Sequence, residues 1–287
     1  MNSYKLRVIV LTHGLGEVAI QRLLEIESVQ VAGIFVETSV TARRGFWEKV
    51  RRSIRYDGYV LTVWKPFRRL IGLNGSSDND VAGTANGRDR LREIGDAHGV
   101  PVHFVSNYHT EEAMALMRNA DADLGVVLGT NILKESVFMI PRLGSINLHQ
   151  GLAPYYRGCP AVFWELFNDE REVGLTVHFV ASKVDTGDII VQRTVPLEYD
   201  FDSYGSNYER FISDYRQKLI IPCANLVAEA VTSIAEQTAA PRPQDPSLGK
   251  RYRLPVKKEK DEMCRRLRER RQSRSPYPIA EKVSSGD

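Results

Sequence analysis

Asn147 and His149 stand two residues apart at the end of an apolar run, in the segment INLHQGLAPYYRG, and Asp185 follows in the loop KVDTG. Positions i and i+2 of a strand share a face, so the Asn147 amide and the His149 imidazole aim at one point. An amide can donate to developing negative charge, and an imidazole beside a carboxylate can handle protons. Each residue also has a plainer use. A histidine at a strand end is commonly structural, and Asp185 ahead of Thr186 and Gly187 is a good turn former. His13, His98, His103 and His109 stay at that level. The ordered set, rather than any member, carries the argument.

Such a set needs elements to hold it. LRVIVL (6–11) is apolar nearly throughout, as a parallel strand covered on both faces should be. It runs through THGLGE into the helical pattern VAIQRLLEI and then a second strand, VQVAGIFVE (29–37). Further strand signals follow at 99–105, 122–130, 174–182 and 188–197, with a short helix in EEAMALMRNA. This predicts an α/β fold: a Rossmann-like, open, mostly parallel twisted sheet with helices on both faces, binding ligands beyond the strands' carboxyl ends. Residues 40–90 interrupt the alternation and read as an insertion, with a basic run from Arg43 to Arg69 and the aromatics Trp47, Tyr56, Tyr59 and Trp64. Residues 1–200 form the expected catalytic domain, 201–240 a helical segment in which Pro222 marks a kink or a new start, and 241–287 a basic tail, frayed at its end.

At 287 residues and 43% hydrophobic, the chain can bury one substantial core. No run approaches the roughly 20 uninterrupted apolar residues of a spanning helix, so a soluble, cytoplasmic protein is expected. Cys159, Cys223 and Cys264 lie far apart without a CxxC, which suggests neither a disulfide framework nor a metal cluster. The net charge of +3 hides an asymmetry: residues 250–274 hold twelve Lys or Arg against four acids. That run reads first as solvated surface and second as a contact for nucleic acid or another anion. Met263 and Leu267 alone offer it an apolar stripe, which makes its helix marginal without a partner.

Asn147-x-His149, Pro154-x-x-Arg157-Gly158, Gly174-x-Thr176-x-His178 and Val184-Asp185-x-Gly187-x-Ile189 together resemble the folate-dependent formyltransferases, a family that includes glycinamide ribonucleotide, methionyl-tRNA and amino-sugar N-formyltransferases. The resemblance covers residues 1–200 outside the insertion. It implies 10-formyltetrahydrofolate as formyl donor, a primary amine as acceptor and no metal. Asn147 would bond the formyl oxygen, protonated His149 would stabilise the oxyanion, and Asp185 would keep His149 charged and help move the amine proton, with His178 behind them. The pterin would lie against two loops, one with Leu128, Gly129, Asn131, Ile132 and Leu133, the other with Ala181, Ser182, Val184 and Asp185. Asn131 stands where some members carry Arg, and His-Gln-Gly-Leu-Ala-Pro replaces the common His-Pro-Ser-Leu-Leu-Pro.

The acceptor is less legible. Glu17 in the first βα turn would repel a phosphate, which counts against glycinamide ribonucleotide. Beyond Leu197 no five alternating strands suggest the tRNA-gripping barrel of the methionyl-tRNA enzymes. A nucleotide-linked amino sugar or another small amine is therefore the leading expectation, a homodimer an accompanying one, and a non-catalytic folate- or nucleic-acid-binding module the alternative of another class.

Overall fold

The computed structural model describes residues 4–38, 85–158 and 160–274. The basic run and aromatics of the expected insertion, Cys159 and the last thirteen residues lie outside them. Alternating burial builds the sheet. Along β1 (Leu6–Thr12), Val8 and Val10 enter one apolar cluster while Ile9 and Leu11 enter another on the opposite face. The same two-sided burial continues in β2 (Val29–Glu37), β4 (Leu124–Leu128) and the start of β5 (Ser145–His149).

With β3 (Val102–Val105), β7 (Glu172–Phe179) and β8 (Ile189–Pro196), these strands form a seven-stranded sheet in the order β3-β2-β1-β4-β5-β7-β8. The first five run parallel and β7 pairs antiparallel with both β5 and β8, so the sheet is open and mostly parallel, as expected. A separate two-stranded ribbon pairs β6 (Tyr156–Gly158) with β9 (Lys250–Tyr252).

Helices cover both faces. α1 (Glu17–Leu24) and α2 (Ala85–His98) contribute Ile20, Leu23 and Leu91 to the larger cluster, and α3 (Glu111–Asn119) and α4 (Glu135–Phe138) close the other side with Met117 and Phe138. α5 (Phe163–Phe167) and the single turn α6 (Phe201–Tyr204) lead to α7 (Tyr208–Ala235), which packs on α1, β7 and β8.

Pro222 does not start a new segment: α7 runs 28 residues through it. An interior proline forfeits one backbone bond, but burial of Leu219, Cys223, Ala224 and Val227 around it holds the helix to the core. α7 is also long and apolar enough to cross a membrane by length and composition, a property that the core helix of a folded domain shares. The polar helix α8 (Lys257–Arg274) does find the partner it requires. Met263 and Leu267 are fully buried in the main cluster, and Arg266 and Arg270 donate to the carbonyls of Phe167 and Leu166 at the end of α5.

Candidate active site

β5 and β7 pair in antiparallel register with Asn147 opposite His178 and His149 opposite Thr176, which stands two polar residues of β5 against two polar residues of β7. Asn147 Nδ2 lies 3.3 Å from His178 Nε2. His178 Nδ1 lies 2.7 Å from the Phe179 carbonyl oxygen, so that nitrogen carries a proton and Nε2 is the ring atom turned toward the Asn147 amide.

Asp185 enters from the β7–β8 loop. Its backbone has φ +52°, a left-handed conformation that Asp tolerates better than most residues. Two residues on, a Cβ on Gly187 would stand 1.9 Å from the Phe179 carbonyl oxygen, so only glycine lets the loop turn this close to β7. The turn brings Asp185 Oδ1 to 3.5 Å from His178 Nε2 and Oδ2 to 3.6 Å from His149 Nδ1. Asp185 Oδ2 also accepts the Gly158 N–H at 2.8 Å, and His149 Nε2 donates to the Tyr156 carbonyl at 2.6 Å. Asn147, His149, His178 and Asp185 thus converge, and β6 supplies two main-chain partners.

Burial dominates the electrostatics. Desolvation pushes the His149 pKa below its ordinary 6.5, with Asp185 and the Tyr156 carbonyl opposing. The expectation that the carboxylate keeps His149 charged therefore fails for the resting site, because a 9% exposed imidazolium loses more hydration than Asp185 at 3.6 Å returns. Burial also works against the Asp185 carboxylate, yet hydrogen bonding to His178, the charge of His149 and the Gly158 N–H together hold its pKa down to about 2. The resting arrangement is an ionised Asp185 beside a neutral imidazole whose proton sits on Nε2.

The two loops expected to hold the pterin differ in detail. Leu128 ends β4, Gly129 turns with φ +66°, and Leu133 is buried in the smaller cluster. Ile132 is 66% exposed. Asn131 turns instead toward a polar cluster that the sequence did not signal: its Nδ2 lies 3.3 Å from Glu37 Oε2, and Glu37 pairs with His13 at 2.6 Å and accepts the Tyr108 N–H. Ala181 and Val184 are half-buried and Ser182 exposed. The main chains of Ile132, Leu133, Ala181 and Ser182 make no hydrogen bond to another described residue. Free backbone donors and acceptors beside an exposed apolar side chain fit a flat heteroaromatic ring with an amide edge. Glu17, at the start of α1, faces Arg90 at 3.3 Å. Among the described residues no cluster of three or more His, Cys, Asp or Glu is placed to hold a metal.

The β6 contacts to His149 and Asp185 were not foreseen. Gly158 belongs to the quoted motif, but a backbone N–H leaves no trace in residue type, and three-residue strands carry no periodicity.

Residues 83–221 match a family model described as formyl transferase. The methionyl-tRNA formyltransferase of Bacteroides fragilis is 31% identical over 191 residues, 64% of this chain and 56% of the relative. That of Chlorobium chlorochromatii is 32% identical over 165 residues, 56% of this chain and 48% of the relative. The chain spans about half the length of the curated relatives it matches. Among solved structures, glycinamide ribonucleotide transformylase 1 from Symbiobacterium toebii aligns with TM-score 0.54 at 20% identity over 84% of this chain and 95% of that one. A sugar N-formyltransferase from a Shewanella species aligns with TM-score 0.52 at 16% identity over 86% of this chain and 76% of that one. At these identities the two structures speak for the fold.

Proposed function

We propose that this chain, which belongs to the formyl transferase family through residues 83–221, is an N-formyltransferase that moves a formyl group from 10-formyltetrahydrofolate to a primary amine. The observation that carries the reading is the meeting of Asn147, His149 and Asp185, from β5 and a loop 36 residues later, within one hydrogen-bonding group.

The loops at Leu128–Leu133 and Ala181–Asp185 would hold the folate, mainly through main-chain groups, and the bound folate supplies the formyl carbon. The Asn147 amide donates to the formyl oxygen, a preorganised contact typically worth a few kcal/mol as negative charge develops there. His149 is neutral at rest, and negative charge building on that oxygen favours its protonated form, so its role as donor begins as the reaction proceeds. As the amine nitrogen bonds to the formyl carbon and the bond from that carbon to the folate nitrogen breaks, Asp185, ionised well below neutral pH, stabilises the charged ring and helps pass the proton that the amine loses to the leaving folate nitrogen.

For the acceptor we favour a nucleotide-linked amino sugar or another small amine. The described residues beyond Leu197 fold as α6, α7, a 3-10 turn at Pro246–Leu248, one three-residue strand and α8, so a tRNA-gripping barrel has no counterpart among them. Methionyl-tRNA is the second reading, favoured by the names of the curated relatives. Glycinamide ribonucleotide ranks below both because Glu17 opens α1. A cytoplasmic setting, a homodimer and a weak anionic contact through the basic α8 complete the proposal.

A non-transferable reduced folate titrated into the protein, followed by 10-formyltetrahydrofolate with each acceptor class in turn, tests this. Folate binding and tetrahydrofolate release with one class of amine are expected. Saturable RNA binding without folate binding would instead favour a non-catalytic module.

A further inference from the structure

We propose that the C-terminal strap, residues 242–254, is a working part of the active site: by clamping β6 it sets the Tyr156 carbonyl and the Gly158 N–H that orient His149 and Asp185. The inference rests on the formyl-transfer reading for its activity readout and on geometry for the rest. The strap lies beyond the family match, which ends at residue 221.

The strap touches both halves of the site. Its start is tied to the β7–β8 loop that carries Asp185: Arg242 and Ile189 exchange two backbone bonds of 2.8 Å, and the Gln244 amide donates to the Gly187 carbonyl. Its far end lies along β6, with Tyr156, Arg157 and Gly158 opposite Lys250, Arg251 and Tyr252. There is no slack between them. A Cβ on Gly249 would stand 2.2 Å from the Pro154 carbonyl oxygen and 2.3 Å from Tyr155 Cα, and one on Gly158 would stand 2.3 Å from the Tyr252 carbonyl oxygen.

Side chains lock the pairing. The Arg157 guanidinium donates to the Pro154 carbonyl on its own loop at 3.2 Å and to the Pro246 carbonyl on the strap at 3.0 Å. Trp164 Nε1 donates to the Arg253 carbonyl at 2.8 Å, and the Asn168 amide bridges the hydroxyls of Tyr156 and Tyr252, whose rings stack. Beyond the strap, α8 is anchored by the buried Met263 and Leu267.

The two groups so clamped are the nearest fixed partners of the reacting pair. The Tyr156 carbonyl holds the His149 proton on Nε2, and the Gly158 N–H fixes the Asp185 oxygen that faces His149 Nδ1. Displacing β6 would free the imidazole to exchange tautomers and turn. A misplacement of about 1 Å can cost on the order of a hundredfold in rate.

Two full-length variants test this. Gly249→Ala forces β9 off β6, and Trp164→Phe removes one clamp bond while keeping an aromatic ring in place. In each, kcat, folate affinity and the nitrogen spectrum of isotope-labelled histidine are compared with wild type. The wild-type spectrum should show His149 as the Nε2–H tautomer. Gly249→Ala should lower kcat roughly a hundredfold, leave folate affinity within about twofold and give mixed His149 tautomers, with Trp164→Phe smaller in the same direction. Folded variants with wild-type kcat and an unmoved His149 spectrum would overturn the proposal. Should Gly249→Ala fail to fold, Trp164→Phe alone decides by the same readouts. If the tautomer moves while no amine supports turnover in wild type, the strap stands as the positioning element and the formyl-transfer reading falls.

Discussion

Asn147 and His178 face each other across β5 and β7, with Nδ2 of one 3.3 Å from Nε2 of the other, and the same His178 nitrogen lies 3.5 Å from Asp185 Oδ1. One histidine therefore sets two of the three groups assigned to the chemistry. Replacing His178 with Leu should leave folate binding intact and reduce kcat by about tenfold to a hundredfold, because both Asn147 and Asp185 lose their orienting partner. Matched folate titrations and steady-state kinetics check the split.

Gly187 places Asp185. A methyl group there would collide with the Phe179 carbonyl oxygen, at 1.9 Å, so Gly187→Ala must open the turn. Activity is expected to fall about as far as in Asp185→Asn, roughly 10²- to 10⁴-fold. The melting temperature should drop further in Gly187→Ala, since the isosteric Asn keeps the loop.

Stability should depend on pH through His149 with a definite sign. Its pKa is lowered in the folded state, so below about 6.5 the unfolded chain takes up a proton that the folded chain refuses. The urea midpoint is then highest above that pH and falls as the pH falls. His103 and His109, also lowered by burial, contribute in the same direction. His149→Gln should flatten part of the slope. Asp185 acts at lower pH: its stabilising contribution is present above the ordinary 3.8 and is lost as the pH falls toward about 2.

Met263 and Leu267 anchor α8, each fully buried. Leu267→Ala should destabilise the fold by about 2–5 kcal/mol. Arg268→Ala, on the exposed side of the same helix, should change stability by less than about 0.5 kcal/mol. Chemical denaturation of the two variants separates core anchoring from surface charge.

The parallel sheet was legible because strands buried on both faces read as continuous apolar runs, as in LRVIVL. Asn147 and His149 were legible because a two-residue spacing on a strand is itself geometry. The charge state of His149 was not, because desolvation depends on the tertiary burial that residue types do not disclose. Nor was the pairing of Lys250–Tyr252 with Tyr156–Gly158, which joins short segments about ninety residues apart through backbone groups. The new helix start that Pro222 allowed fails for a related reason: local propensity admits a break there, and packing around Leu219 and Cys223 carries α7 through it.

The most direct measurement is single-turnover release of tetrahydrofolate from 10-formyltetrahydrofolate, run with and without each amine, on wild type, Asn147→Ala and Asp185→Asn. Amine-dependent release by wild type, slowed at least about a hundredfold in both variants with folate affinity unchanged, is the expected result. Release by wild type that both variants retain at full rate would contradict the assignment of the reaction to Asn147, His149 and Asp185.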